Sequence, residues 1–251
     1  MLRTPAILLL AAVLAGCGEV LTSGLPPVGV PQPLAYVVRE ERTGPISIVF
    51  PGRSAPTDDP TLGIRETALR IAERAGGSVG LFSWKVYDQA VRWARKESAL
   101  RRSSGGRVRV ALVGHSWGGP TAARFAEEAL AGGVVDEVSV LVTLDAIDKG
   151  YAKNALEWWA ALLPEGLFGA RWPVMAFTGG PIVDGERVRR HVNYYQVDSP
   201  MLHGAAVPTA TENHEVWFSH GSELGHGNLD NFLIDIVAED VRRAFLAEVG
   251  P

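Results

Sequence analysis

Between Arg107 and Leu144 the chain reads as strand, tight turn, helix and strand, and that succession restricts its fold more than any other feature. Arg107 to Val113 reads as a β-branched strand, apolar from Val110 on, and Gly114-His115-Ser116-Trp117-Gly118 breaks it. Thr121 to Leu130 puts Ala122, Phe125, Ala126 and Ala129 on one helical face, and Gly132-Gly133 closes the helix. Val138 to Leu144 is then nearly all apolar. A strand apolar on both sides belongs inside a parallel sheet covered on both faces. Strand, helix and strand in succession form a βαβ unit with a right-handed crossover.

The same alternation runs along most of the chain from residue 34. Leu34 to Val38, Ile46 to Phe50 and Val79 to Trp84 read as strands. Pro60 to Ala75 reads as a helix that Asp59 can cap, with Pro60 in its first position and Gly76-Gly77 as its stop. Tyr87 to Arg102 reads as a helix with Ala90 and Ala94 on one face. Val192 to Val197 and Glu215 to Ser219 read as the last strands. Asn231 to Glu248 reads as the final helix, with Phe232, Leu233, Ile236, Val237, Val241, Ala244 and Phe245 as its apolar stripe. This order predicts an α/β fold, a mostly parallel sheet with helices on both faces, formed as one domain over 34–251. A chain of 251 residues is long enough to bury a sizeable core. The net charge of -4 comes with no basic stripe, which argues against a nucleic-acid partner. The Arg-rich stretches Arg92 to Arg102 and Arg187 to Arg190 read as solvated faces.

The pentapeptide Gly114 to Gly118 has the form G-x-S-x-G, and its setting between an apolar strand and a helix is the one that motif requires. Here the chain resembles the α/β-hydrolase family over most of residues 34–251. The resemblance implies that Ser116 is a nucleophile on a strained turn. Glycines flank it because side chains there would collide. It also implies an oxyanion site, with the Trp117 N–H at a helix N-terminus as first donor. The second donor belongs in the loop after an earlier strand, Pro51-Gly52-Arg53-Ser54, which makes the Arg53 N–H the candidate. That loop resembles the family's His-Gly version with Pro51 in place of His; Pro51-Gly52 as a plain turn is the other reading.

Serine needs a base to take its proton and an acid to orient that base. The family order is Ser, acid, His. His226, in Gly225-His226-Gly227-Asn228 ahead of the last helix, resembles the family's terminal Gly-His pattern, and His220 is the alternative. His115 lies inside the turn and cannot reach its own neighbour. For the acid, Asp145 ends the strongly apolar Val138–Leu144 run, at the carboxyl end where catalytic groups of parallel sheets gather. Asp198, one strand later, is the commoner family position, and Asp148 is a third option. No metal or other cofactor is expected, since the spacing of His220, His226 and Asp230 does not resemble a structural zinc site.

The first 16 residues, MLRTPAILLLAAVLAG, carry one cation before a short apolar run, the layout of a secretory signal peptide. The run ends in Leu14-Ala15-Gly16-Cys17, which resembles the bacterial lipobox, and Cys17 is the only cysteine. The resemblance implies cleavage before Cys17, lipidation of its thiol, and 17–33 as a Gly- and Pro-rich tether. Gly18 in place of Asp resembles the choice that sends lipoproteins to the outer membrane in two-membrane bacteria. The expected function is therefore a serine hydrolase that cleaves carboxylic ester or thioester bonds at a membrane surface. An acyltransferase with the same triad and a non-catalytic binding lipoprotein are the rivals. Leu156 to Leu163, with Trp158 and Trp159, reads either as a lid over an acyl or lipid substrate or as a buried crossover helix.

Overall fold

The computed structural model describes residues 35–52, 63–147, 177, 179–181, 184, 186–197, 203–217 and 225–247. Seven strands form one sheet: β1 (Ala35–Arg39), β2 (Ile46–Phe50), β3 (Ser78–Phe82), β4 (Arg109–His115), β5 (Glu137–Leu144), β6 (His191–Tyr195) and β7 (Glu212–Glu215). Their order is β1-β3-β2-β4-β5-β6-β7. β1 runs antiparallel to β3, and every other neighbouring pair is parallel. Helices α1 (Gly63–Arg74), α2 (Tyr87–Ser103), α3 (Gly118–Ala131) and α4 (Leu229–Leu246) cover both faces. The fold is α/β, a mostly parallel sheet with helices on both faces.

Two apolar clusters explain the layers. On one face Trp93 of α2 and Phe125 of α3 pack with Ile48, Phe50 and Leu112 of the sheet. On the other, Ile64 and Ile71 of α1 join Leu233, Val237 and Phe245 of α4 against Val49, Val113 and Val142. Strands β2 and β5 are buried along their whole length, as their mostly apolar sequences require with helices on both sides.

The chain order creates one special crevice. From β2 the chain passes through α1 to β3 on one side, and α2 then carries it back past β2 to β4 on the other. The carboxyl ends of β2 and β4 are therefore a topological switch point, where open α/β sheets bind ligands. The register sets Phe50 opposite Gly114, so the two loops that leave these strands start side by side.

Four expectations are corrected. The strand before the pentapeptide runs on through Gly114 and His115, because both still pair with β5. Trp84 belongs to a 3-10 turn, Trp84–Val86, beyond the end of β3. The last strand is Glu212–Glu215 rather than Glu215 to Ser219. It is an edge strand chosen by pairing with β6 and by Asn213, which accepts from Val207 N at 2.7 Å and from Asn193 Nδ2 at 2.9 Å. Trp217, inside the expected later stretch, is 67% exposed. On α4, Phe232 and Ile236 face outward, while Leu229 and Ala238 complete the buried stripe.

Arg101 is also not solvated. It is 4% exposed and donates to Glu97 Oε2 at 2.9 Å, Ser78 Oγ at 3.0 Å and the Gly44 carbonyl at 2.6 Å. A buried guanidinium is tolerable because these partners fill its fork of donors.

Candidate active site

Ser116 leaves the end of β4 with φ 54. Among the described residues, Ser116 and Asp145 are the non-glycine residues with positive φ. Such a conformation costs on the order of 1–3 kcal/mol and persists only where the surroundings impose it. They do so here. Ser116 N–H donates to the Leu144 carbonyl at 2.9 Å, and its own carbonyl accepts from Gly119 N at 3.0 Å and Ile147 N at 3.2 Å. The glycines on either side fit no larger residue. A Cβ at Gly114 would overlap the Gly118 carbonyl, and one at Gly118 would overlap the Phe50 carbonyl. The turn thus packs against the end of β2. From that side Gly52 comes so close that a Cβ there would lie 2.7 Å from Ser116 Cβ.

Asp145 takes up the same kind of position one strand over. It follows β5, has φ 45, and its N–H donates to the Tyr194 carbonyl at 2.7 Å. Its carboxylate is fully buried, yet both oxygens are satisfied. Oδ1 accepts from the Gly204 N–H and from Gln196 N–H at 3.2 Å. Oδ2 accepts from Gln196 Nε2 at 2.8 Å and faces His226 Nδ1 at 2.8 Å. An ionised carboxylate with four donors is stable without water.

His226 joins the two. It sits in a turn closed by Gly225 N–H to Asn228 Oδ1 at 2.7 Å and by Asn228 N–H to the Gly225 carbonyl at 3.1 Å. Its Nε2 lies 2.7 Å from Ser116 Oγ. A carboxylate only accepts, so His226 Nδ1 carries the proton and donates to Asp145. Nε2 is then the acceptor, and Ser116 Oγ–H donates to it.

The structure thus brings Ser116, His226 and Asp145 into one hydrogen-bonded chain. Trp117 follows directly, with Gly118 opening α3 behind it, and Trp84 packs edge-on against its ring at 5.2 Å. Arg53, Cys17, Asp148, Asp198, His220 and the Trp158–Trp159 pair lie outside the described residues. Among the described residues no cluster of three or more His, Cys, Asp or Glu side chains could hold a metal ion.

Sequence reasoning missed the residues that support this chain. Gln196 is fully buried beyond the end of β6, and a polar side chain there was the available signal. Gly204 is required because a Cβ would collide with Asp145 Oδ1, which no pattern in the sequence announces. His115 lies behind His226, its Nε2 3.0 Å from the His226 carbonyl. Asp230 in the first turn of α4 accepts from Ile64 N–H at 2.8 Å and stands 3.7 Å from His115 Nδ1. Burial holds the His115 imidazole below its ordinary pKa, against the opposing pull of Asp230.

No family model matches the chain, and no curated protein matches it. Several solved structures resemble it. One is a protein from Agrobacterium vitis S4 described as a hydrolase, at 16% identity over 84% of this chain and 92% of that one, TM-score 0.47. Another is a bacterial heroin esterase, at 12% identity over 95% and 89%, TM-score 0.46. A third is the RedJ thioesterase of the prodiginine biosynthetic pathway in Streptomyces coelicolor, at 13% identity over 96% and 97%, TM-score 0.44. Likeness at this level carries no information about substrate.

Proposed function

We propose that this protein is a serine hydrolase that cleaves carboxylic ester or thioester bonds through an acyl-enzyme. The observation that carries the reading is the chain Ser116 Oγ, His226 Nε2 at 2.7 Å, and His226 Nδ1 to Asp145 Oδ2 at 2.8 Å. It stands at the switch point of a parallel sheet, on a strained turn that presents the hydroxyl.

In this reading Ser116 Oγ attacks the acyl carbon while its proton passes to His226 Nε2. Asp145 stabilises the imidazolium and stays ionised. The oxyanion of the tetrahedral intermediate receives the Trp117 N–H and a second N–H from the loop after Gly52, for which Arg53 is the candidate. As the intermediate collapses, the alcohol or thiol leaves with the proton from His226. Water, deprotonated by the same imidazole, then attacks the acyl-enzyme and releases the acid and Ser116. A chromogenic acyl ester and a fluorophosphonate probe test this. Ser116→Ala should lose the probe adduct and about 10⁶ in kcat. Ester hydrolysis that survives the substitution refutes it.

The membrane location rests on the sequence alone: the apolar run ahead of Leu14-Ala15-Gly16-Cys17 and the tether that follows. Among the described residues no helix is long and apolar enough to cross a membrane. Lipid on Cys17 is the proposed anchor, each buried CH₂ contributing about 0.8 kcal/mol. Cys17→Ser should abolish fatty-acid incorporation, and unchanged labelling would remove the assignment.

A further inference from the structure

We propose that His115, the residue ahead of the nucleophile, is a positioning residue that holds the backbone of His226. The proposal rests on the reading of His226 as the base. His115 ends β4 with 6% of its surface exposed, and its Nε2 is 3.0 Å from the His226 carbonyl oxygen. A carbonyl only accepts, so Nε2 must carry the proton and donate, whichever state Nδ1 is in. The two rings lie 5.4 Å apart between centroids, tilted by 31°. The base is therefore backed by an imidazole that belongs to the same turn as the serine it serves.

His226 needs such an anchor. Both its neighbours are glycines, and a Cβ on Gly225 or on Gly227 would meet nothing within 4 Å among the described residues. Glycine brings no side chain with which to hold the loop at those two positions. The hydrogen bonds of the His226 ring to Ser116 and Asp145 change strength whenever a proton moves. The bond from His115 acts on the main chain and involves neither ring nitrogen of His226, so the proton that moves is not part of it. His115 is itself confined, with Asp230 Oδ2 at 3.7 Å from Nδ1 and that carboxylate pinned by the N–H of Ile64 at 2.8 Å. The turn that carries Ser116, the first turn of α4 and the start of α1 thus meet behind the base.

Two substitutions separate positioning from packing. His115→Leu fills the space and removes the donor, whereas the Nε2 of His115→Gln reaches the same carbonyl. Loosening a reacting group by ~1 Å costs roughly 10²-fold. His115→Leu should therefore lose about 10²-fold in kcat per fluorophosphonate-titrated site, with KM within about threefold, and His115→Gln should recover most of it. A Leu variant within about tenfold of wild-type kcat overturns the proposal, as does a Gln variant as impaired as Leu. Ring ¹⁵N spectra of the unreacted wild-type protein decide independently of activity. A proton on Nε2 of His115 supports the anchor, and a neutral ring protonated only at Nδ1 overturns it. Should the wild-type protein hydrolyse no ester, the hydrolase reading falls while the spectra still decide the anchor.

Discussion

Asp145→Asn removes one formal charge and almost no volume, so its effect depends on hydrogen-bond direction. The carboxylate accepts from Gly204 N–H, from Gln196 N–H at 3.2 Å, from Gln196 Nε2 at 2.8 Å and from His226 Nδ1 at 2.8 Å. Asn has one acceptor oxygen for these two sides. If the oxygen turns to His226, its NH₂ opposes two buried backbone donors, at a cost of about 1–3 kcal/mol each. If it turns to the backbone donors, its NH₂ faces Gln196, whose amide can flip to accept, and His226, whose Nδ1 must then accept. The second arrangement wins. It moves the His226 proton to Nε2, which then points at Ser116 and can no longer take the serine proton. An Asp→Asn change of this kind costs about 10⁴ in kcat in the known trypsin triad, about 5 kcal/mol of barrier. The assay is kcat on a chromogenic ester for protein shown to be folded by circular dichroism, with ring ¹⁵N spectra for the tautomer. Asp198→Asn, made in parallel, should stay near wild type. A folded Asp145→Asn variant within tenfold of wild-type kcat would refute the reasoning.

The centre of this fold was legible because its strands are buried on both faces. Ile46–Phe50 and Val138 to Leu144 are apolar but for Ser47, Ser139 and Thr143, and helices on both sides are what such runs need. Ser116, His226 and Asp145 could be singled out as candidates for a related reason: each stands at a signal of its own. Those signals are the end of an apolar strand, a Gly-His-Gly segment and the end of another apolar strand. Legibility fails toward the edge. β7 consists of Glu212, Asn213, His214 and Glu215, held by main-chain pairing to β6 and by the Asn213 side chain, and none of that shows as hydrophobic periodicity. On α4, Phe232 and Ile236 continue the apolar count but not the buried face, since both are 48% exposed. Arg101 shows the reverse error. Charge in a row reads as solvent, yet one member of this row closes a buried network with Glu97 and Ser78. The support of the site was least visible. Gln196 and Gly204 act on Asp145 from 51 and 59 residues away, and only the folded chain brings them there.

Two further predictions follow from buried polar groups. Gln196→Leu deletes a donor to Asp145 Oδ2 and leaves that oxygen to His226 alone. It should cost about 2–3 kcal/mol in urea unfolding while kcat falls far less than in Asp145→Asn, and unchanged stability would deny the bond its weight. The last prediction concerns His191, which starts β6 with no exposed surface. Thr143 Oγ–H donates to Asn193 Oδ1 at 2.9 Å, so the hydroxyl oxygen accepts from His191 Nε2–H at 3.1 Å. Burial lowers this imidazole from 6.5 to about 4. The sign follows from which state binds the proton. Above pH 6.5 both states are neutral at this group and it adds no pH dependence. Between pH 6.5 and about 4 the unfolded chain takes up a proton that the folded chain refuses, so stability falls as the pH falls, and below about 4 it is level again. A shift of that size corresponds to about 3 kcal/mol. His191→Gln keeps a donor for Thr143 and cannot titrate. The loss of unfolding free energy between pH 7 and pH 4, measured by urea titration, should therefore be about 3 kcal/mol smaller in the variant than in the wild type. Equal losses in the two proteins would mean that the ring takes up its proton inside the fold, and that burial does not govern it.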